Sequence, residues 1–185
     1  MACALLPLNT GTCVNASGGA EYAYATSLEY ISAVTATANL ITAITMTTTD
    51  KWVKLVPNKN QTARYDETGE RPNEFSTKFN YNCEGFAYFA GKSASTHLVA
   101  DSFSACCQIV VVWVLNNGQR VIQGLELDAL ATGGFTGSKE ADCRCTPSSL
   151  SDTSANESRL ELLFNSKNRL ASPFTDLTDT EIEAL

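Results

Sequence analysis

His97 is the only histidine in the chain, so any catalytic site built on an imidazole must include it. A nucleophilic triad would need His97 beside Ser102 or Cys106, with an acid such as Asp101 to orient the ring. His97 and Asp101 are four residues apart and could meet on one helix face. Cys106 lies too far along the same helix to join them easily, and such polar residues are usually solvated surface. The sequence therefore predicts no catalytic site and a protein that is not an enzyme.

The cysteines could form a zinc site or disulfide staples: Cys3, Cys13, Cys83, Cys106, Cys107, Cys143 and Cys145. Their number is odd, and their spacing matches no disulfide framework. A Cys-x-Cys pair with one histidine in the chain is also poor zinc spacing. A staple from the N-terminal residues to Cys143 or Cys145 stays an alternative. The favoured interpretation is reduced thiols, with Cys83, Cys106 and Cys107 as small buried hydrophobic residues.

Three further patterns have simpler explanations than a binding site. The glycine-rich run 132–139 lacks the GxxxxGK[ST] spacing of a phosphate-binding loop and is typical of a mobile loop. Glu140 and Asp142 lack the ligand count of a calcium loop. The pair Asp66 and Glu67 lies in a polar stretch typical of solvated surface. We therefore expect neither a cofactor nor a metal.

Charge limits the partners that this chain can bind. The formal net charge is −7, and only 18% of the residues are charged. Binding nucleic acid through its phosphates needs clustered lysine and arginine, whereas the basic residues here are scattered and none precedes Lys51. The sequence therefore argues against tight nucleic-acid binding. The low charge is consistent with a protein that hides part of its surface in an assembly.

Apolar patterns predict mainly β-structure with one helix. Residues 75–83 alternate aromatic and polar side chains, as in a half-buried strand that ends at Glu84-Gly85. The run 108–115 (QIVVVWVL) is typical of a strand covered on both faces, and Asn116-Asn117-Gly118 predicts a type I′ turn into a returning strand. A helix is expected near residues 95–106, packed over the strand 108–115. Further strands are expected at 28–34, 40–46, 52–56, 120–127 and 159–164. Runs of strands with one helix predict a β-sandwich or barrel with the helix packed on a sheet.

The predicted organisation is one domain with extensions. Residues 1–17 are expected to form an N-terminal arm, residues 18–174 the β-sandwich, and residues 175–185 an acidic tail with four acids and no base. Within the domain, the polar stretch 58–73 predicts a long loop or projecting arm, and 147–157 a serine-rich loop. No stretch approaches the ~20 apolar residues of a membrane-spanning helix.

The order of elements resembles that of small virion proteins of tailed bacteriophages, especially tail tube proteins. From Phe75 onward, an alternating strand leads into a helix, an apolar strand, an Asn-Gly turn and a returning strand. A Thr-Gly loop at 132–133 and a late strand that runs to Pro173-Phe174 follow. Gly18-Gly19 before an expected strand is similar as well.

The resemblance implies a structural protein of the virion, assembled in the host cytoplasm. Its sheets would join those of neighbouring copies in a hexameric ring, and rings would stack into a tube bridged by residues 58–73 and the two terminal segments. The implied partners are copies of itself, other virion tail proteins, and viral DNA that passes without tight binding. An acidic lumen would repel phosphate. The candidate lumen acids lie on expected strands: Glu21, Glu29, Glu126 and Glu161.

Three other classes of protein fit the same sequence. One is a different particle component, such as a tail terminator or a head-to-tail connector. Another is a secreted or cell-surface β-sandwich binding module, which the Thr, Ser and Ala content and the cysteines favour, although residues 1–8 lack the basic region of a secretory signal. The third is an enzyme of unknown type. The shape of the particle in solution, whether tube, ring or monomer, separates most of these classes.

Overall fold

The structure, a computed structural model, describes residues 19–37, 40–47, 52–57, 63–70, 80–90, 94–105, 108–125, 143–152, 157–167 and 174–185. In chain order the strands are β1 (Ala20–Ser27), β2 (Ile31–Thr37), β3 (Leu40–Met46), β4 (Val53–Leu55), β5 (Arg64–Glu70), β6 (Asn80–Ala90), β7 (Ile109–Leu115), β8 (Arg120–Gln123), β9 (Arg144–Asp152), β10 (Glu157–Lys167) and β11 (Phe174–Thr175). The helices are α1 (Ala94–Ala105) and α2 (Asp179–Glu183), and a short 3-10 helix covers Leu28–Tyr30.

The strands form two sheets. The large sheet has seven strands in the order β2-β3-β11-β8-β7-β1-β4, and the small sheet has four in the order β5-β6-β10-β9. Neighbours are antiparallel except β11 and β3, which are parallel. The described part of the chain is therefore mainly β and consistent with a sandwich that carries a helix, which confirms the predicted fold class.

The inner core lies between the two sheets. On β1 and β7 every second side chain points into it, so that Ala23 pairs with Trp113 and both are fully buried. The small sheet supplies Phe164, whose ring meets the Trp113 ring edge-to-face at 5.8 Å. Gly85 of β6 lies against the same indole, where an added Cβ would come within 2.3 Å of a ring carbon. The indole is thus accommodated by small residues on both sheets.

A buried amide joins the two sheets. Gln123 of β8 accepts a hydrogen bond from Trp113 Nε1 at 2.9 Å. Its Nε2 donates to the carbonyl oxygens of Cys83 and Phe164, at 3.1 and 3.0 Å, and lies 3.3 Å from Ser166 Oγ. Because a buried amide without partners is costly, these bonds favour one alignment of β8 over the small sheet.

The outer core lies on the opposite face of the large sheet. Tyr24, Val112 and Ile122 point into it from β1, β7 and β8. Ile41 of the β2–β3 hairpin packs there with Ile182, and both are fully buried. Strand β7 is therefore covered on both faces, as its continuous apolar run predicts.

The turn between β7 and β8 lies at the predicted position but has a different hydrogen-bond pattern. The Leu115 carbonyl accepts from the Gly118 N–H at 2.8 Å, and the Leu115 N–H donates to the Gln119 carbonyl at 2.8 Å. Three residues therefore connect the strands, rather than the two of a type I′ hairpin. Gly118 has φ of 81°, the left-handed position that closes such a three-residue turn.

Other predicted boundaries were wrong. Part of the polar stretch 58–73 is strand β5, and most of the serine-rich stretch 147–157 belongs to β9 and β10. Strand β6 continues past Glu84-Gly85 to Ala90, while residues 71–79 lie outside the described part. Cross-strand partners support these segments, which local polarity had suggested were loops.

The helix α1 also packs differently from the prediction. It lies chiefly against β9 rather than over the strand 108–115. Ala100 and Phe103 are buried, and the Phe103 ring meets Phe164 edge-to-face at 6.0 Å. Residues 1–17 and the glycine-rich run 132–139 lie outside the described part of the chain.

Candidate self-association surface

Four strands lie at the edges of the sheets: β2 and β4 in the large sheet, and β5 and β9 in the small sheet. An edge strand presents backbone N–H and C=O groups that can pair with a strand of another chain. Folded proteins therefore usually protect their edges with charge, proline, bulges or short length.

Three of the four edges are protected by charge, by proline or by short length. Strand β4 is three residues long and contains Lys54. Strand β5 (RYDETGE) carries four charged residues, all exposed. Strand β9 contains Pro147, which has no N–H to donate to a further strand. These features protect each of the three edges from uncontrolled pairing with another chain.

Strand β2 (ISAVTAT) differs from the other edges in composition. It has seven residues, none of them charged and none of them proline. Its register with β3 shifts twice, between Ile31 and Ala33 and between Thr35 and Ala36, so the pairing is regular from Ala33 to Thr35. Val34 is buried and fixes the strand on the outer core, while Thr35 and Ala36 are exposed. Within the described residues, β2 is therefore the edge best suited to pairing with another strand.

The β2–β3 hairpin is connected to the rest of the large sheet by the C-terminal segment 174–185. Strand β3 pairs on its other side with β11, at Thr175 opposite Ile41. The Thr175 hydroxyl donates to the Ile41 carbonyl at 2.8 Å, and the Asp176 N–H donates to the same oxygen at 3.3 Å. Residues 175–185, predicted to be a tail, thus form part of the folded body.

Two acids of α2 bind side chains of β1, β4 and β8, which lie beyond β11 from the hairpin in the strand order of the large sheet. Asp179 accepts from the Tyr22 hydroxyl and from the Arg120 guanidinium, whose nearer nitrogen is 2.7 Å away. Glu183 Oε1 accepts from Lys54 Nζ at 2.8 Å and from the Tyr24 hydroxyl at 2.7 Å. We call this group of six residues the latch: Tyr22, Tyr24, Lys54, Arg120, Asp179 and Glu183.

The ionisation of the latch follows from these contacts. Burial opposes the charge on Asp179, but hydrogen bonds from Tyr22 and Arg120 outweigh burial and lower its pKa. The hydrogen bond from Lys54, followed by that from Tyr24, lowers the pKa of Glu183. Burial is the main cause that raises the pKa of Tyr24 to about 12. Both acids are therefore ionised at neutral pH and both tyrosines are protonated.

The Asp179 pair is the stronger half of the latch. The side chains of Arg120 and Asp179 are 21% and 29% exposed, whereas those of Lys54 and Glu183 are 40% and 53% exposed. Exposed ion pairs contribute little because water and salt screen them. A capping box at Thr178, in which the Thr178 hydroxyl and the Glu181 carboxylate each accept a backbone bond, starts the helix independently of the latch.

The candidate lumen acids that the structure describes lie on three different elements. Glu21 is exposed near the start of β1, and Glu29 is exposed on the 3-10 helix that follows the end of this strand. Glu161 lies on β10 of the other sheet, on the face opposite the buried residues Leu162 and Phe164. Glu126 lies outside the described residues.

Residues considered for catalysis or metal binding do not assemble into a site where the structure describes them. Asp101 and Ser102 are exposed on α1, and Cys106 lies outside the described part. No group of three or more potential metal ligands occurs among the described residues. Asp66 pairs with Arg64, and Glu67 accepts from the Tyr65 hydroxyl at 2.9 Å.

Three of the cysteines are buried thiols: Cys83, Cys143 and Cys145. Strand β10 separates β6, which carries Cys83, from β9, which Cys143 immediately precedes. Two strand spacings of about 4.8 Å exceed the Cα separation that a disulfide bridges. The predicted role of Cys83 as a small buried hydrophobic residue agrees with this placement.

Comparison with known proteins adds no assignment. The chain matches no protein-family model, and no curated protein or solved structure is significantly similar to it. No helix in the described ranges is long and apolar enough to cross a membrane.

Proposed function

We propose that the protein is a self-assembling structural subunit whose copies associate by extending the large sheet across the edge of β2. The observation that carries this proposal is the contrast among the four edges. Among the edge strands that the structure describes, β2 alone combines seven residues with neither charge nor proline, while the others are short, charged or interrupted by proline. Backbone pairing along such an edge needs no specific side-chain site.

The form of assembly that we propose is the tail tube of a bacteriophage virion. The order of elements from Phe75 to Phe174 supports it, and a two-sheet sandwich is compatible with sheets continued between subunits. The net charge of −7 also fits a conduit that DNA passes without being held. Candidate lumen acids remain Glu21, Glu29, Glu126 and Glu161.

The symmetry of the contact distinguishes a tube subunit from other structural roles. If β2 pairs with β2 of a second copy, the contact is two-fold and closes a dimer. A ring requires β2 to meet a different surface of the next copy. Negative-stain images of the purified protein separate these cases: rings and tubes support the tail tube proposal, whereas discrete dimers support another structural role.

The edge contact is tested with Thr35→Lys. A lysine there places an exposed charge on the edge of β2, and we expect self-association to weaken by about tenfold or more. Thr45→Lys is the matched control, because Thr45 is also exposed but lies on β3, an internal strand. Sedimentation velocity over a concentration series measures both variants. Wild-type protein that stays monomeric at high concentration, or equal association of the two variants, would contradict the proposed contact.

A further inference from the structure

We infer that the C-terminal segment 174–185 is a clamp that holds the β2–β3 hairpin in register with the large sheet. The contacts of Asp179 with Tyr22 and Arg120 determine the free energy needed to open this hairpin. The inference concerns the regulation of the surface proposed above, so its assembly consequence rests on that proposed function. The clamp itself is a property of the single chain.

The β2–β3 hairpin has little sheet pairing of its own with the rest of the molecule. Strand β2 pairs with β3, and β3 pairs on its other side with β11. That second pairing has one register position, Thr175 opposite Ile41. A two-stranded hairpin is marginally stable in water by itself. Its order therefore depends on what holds β11 in place.

Strand β11 is too short to provide this hold alone. It contributes two residues, Phe174 and Thr175, to the ladder with β8. The remainder of the clamp follows it: Leu177 and Ile182 are buried in the outer core beside Ile41 and Ile44 of the hairpin. The hairpin and the clamp thus close the same apolar cluster from two sides.

The latch joins the clamp to strands of the large sheet outside the hairpin, namely β1, β4 and β8. Tyr22 lies on β1 and Arg120 on β8, and both bind Asp179. Lys54 on β4 and Tyr24 on β1 bind Glu183. The segment is therefore attached to the hairpin through the Thr175 hydroxyl and the Asp176 N–H, and to β1, β4 and β8 through α2. Loosening either attachment frees the hairpin without breaking a ladder of the inner core.

The consequence is selective mobility. Loss of the Asp179 contacts lowers the free energy of opening the β2–β3 hairpin, whereas β6, β7 and β10 keep their partners. A hairpin that opens presents β2 as a disordered edge, so pairing with another copy must also order it. The clamp thereby couples the ionic contacts of α2 to self-association.

The test is Asp179→Asn in the full-length chain, followed by hydrogen–deuterium exchange at a dilution where the protein is monomeric. We expect amides of β3 to exchange about tenfold faster or more, with little change in β7. Asp176→Asn is the matched control, because it removes the same charge from an exposed position of the same segment outside the latch. Faster exchange that is uniform over the chain, or β3 protection equal to that of the control, overturns the inference.

A second variant removes contacts at the other attachment, between the clamp and the hairpin. Thr175→Val keeps the side-chain volume but removes the hydroxyl, which donates to the Ile41 carbonyl and accepts from the Leu177 N–H. We expect the same selective loss of β3 protection, and unchanged β3 exchange would overturn the inference even if Asp179→Asn failed to fold. Because exchange is measured on monomers, its result is independent of assembly. A selective loss in a protein that never associates leaves the clamp established and the proposed function wrong.

Discussion

The inner and outer cores flank the same sheet but are closed in different ways. The inner core is closed by the small sheet, in which β10 pairs at nine positions with β6 and at nine with β9. The outer core is closed by residues 174–185, whose strand has two residues and whose helix has five. One closure is made of long ladders, and the other of a chain end fixed by two apolar side chains and two acids.

The two closures differ in whether they can open locally or only with the whole fold. Opening the inner core breaks ladders that hold most of the fold, so it is expected to coincide with global unfolding. Opening the outer core breaks a few contacts at the chain end and can occur locally. The edge proposed for assembly, β2, belongs to the second region.

The largest expected effect is on the inner core. Trp113→Ala removes a fully buried indole and leaves Gln123 without one of its hydrogen-bond partners. We expect a loss of about 3–5 kcal/mol in the free energy of unfolding, measured by urea denaturation. Trp52→Ala is the control, since Trp52 is only partly buried against the outer core. Equal losses in the free energy of unfolding for the two variants would contradict the expectation that the inner core contributes more to global stability than the outer core.

A smaller and local effect is expected in the outer core. Ile182→Ala should lower the opening free energy of the β2–β3 hairpin by about 2–3 kcal/mol, because a terminal helix can shift to fill part of the cavity. Hydrogen exchange of β3, compared with β7, measures this change. Thr180→Ala on the exposed side of the same helix is the control. A loss of protection in β7 as large as that in β3 would contradict local closure.

The smallest effect is expected from acid. Asp179 and Glu183 have lowered pKa values in the folded protein. Their contribution is therefore complete above the ordinary carboxyl pKa values of about 4 and is lost as pH falls through the lower folded values. We expect β3 to lose protection before β7 in this range, after correction for intrinsic exchange. The double variant Asp179→Asn/Glu183→Gln should lack this selective step, and a step that persists in it would assign the response to other carboxylates.

Segments whose own composition determines how they are buried could be predicted from the sequence. The run IVVVWVL has no polar face, so it must be a strand covered on both sides, and β7 is one. The helix near 95–106 and the turn at 116–118 also lie where expected.

Only the tertiary structure decided the roles of the polar segments and the chain end. Strands β5 and β9 are rich in polar residues, and their strand conformation depends on pairing with β6 and β10. The segment 175–185 was predicted to be a tail because it has four acids and no base. Its acids instead meet Tyr22, Arg120 and Lys54, which are distant in sequence. Local composition cannot specify such partners, because long-range register determines which side chains become neighbours.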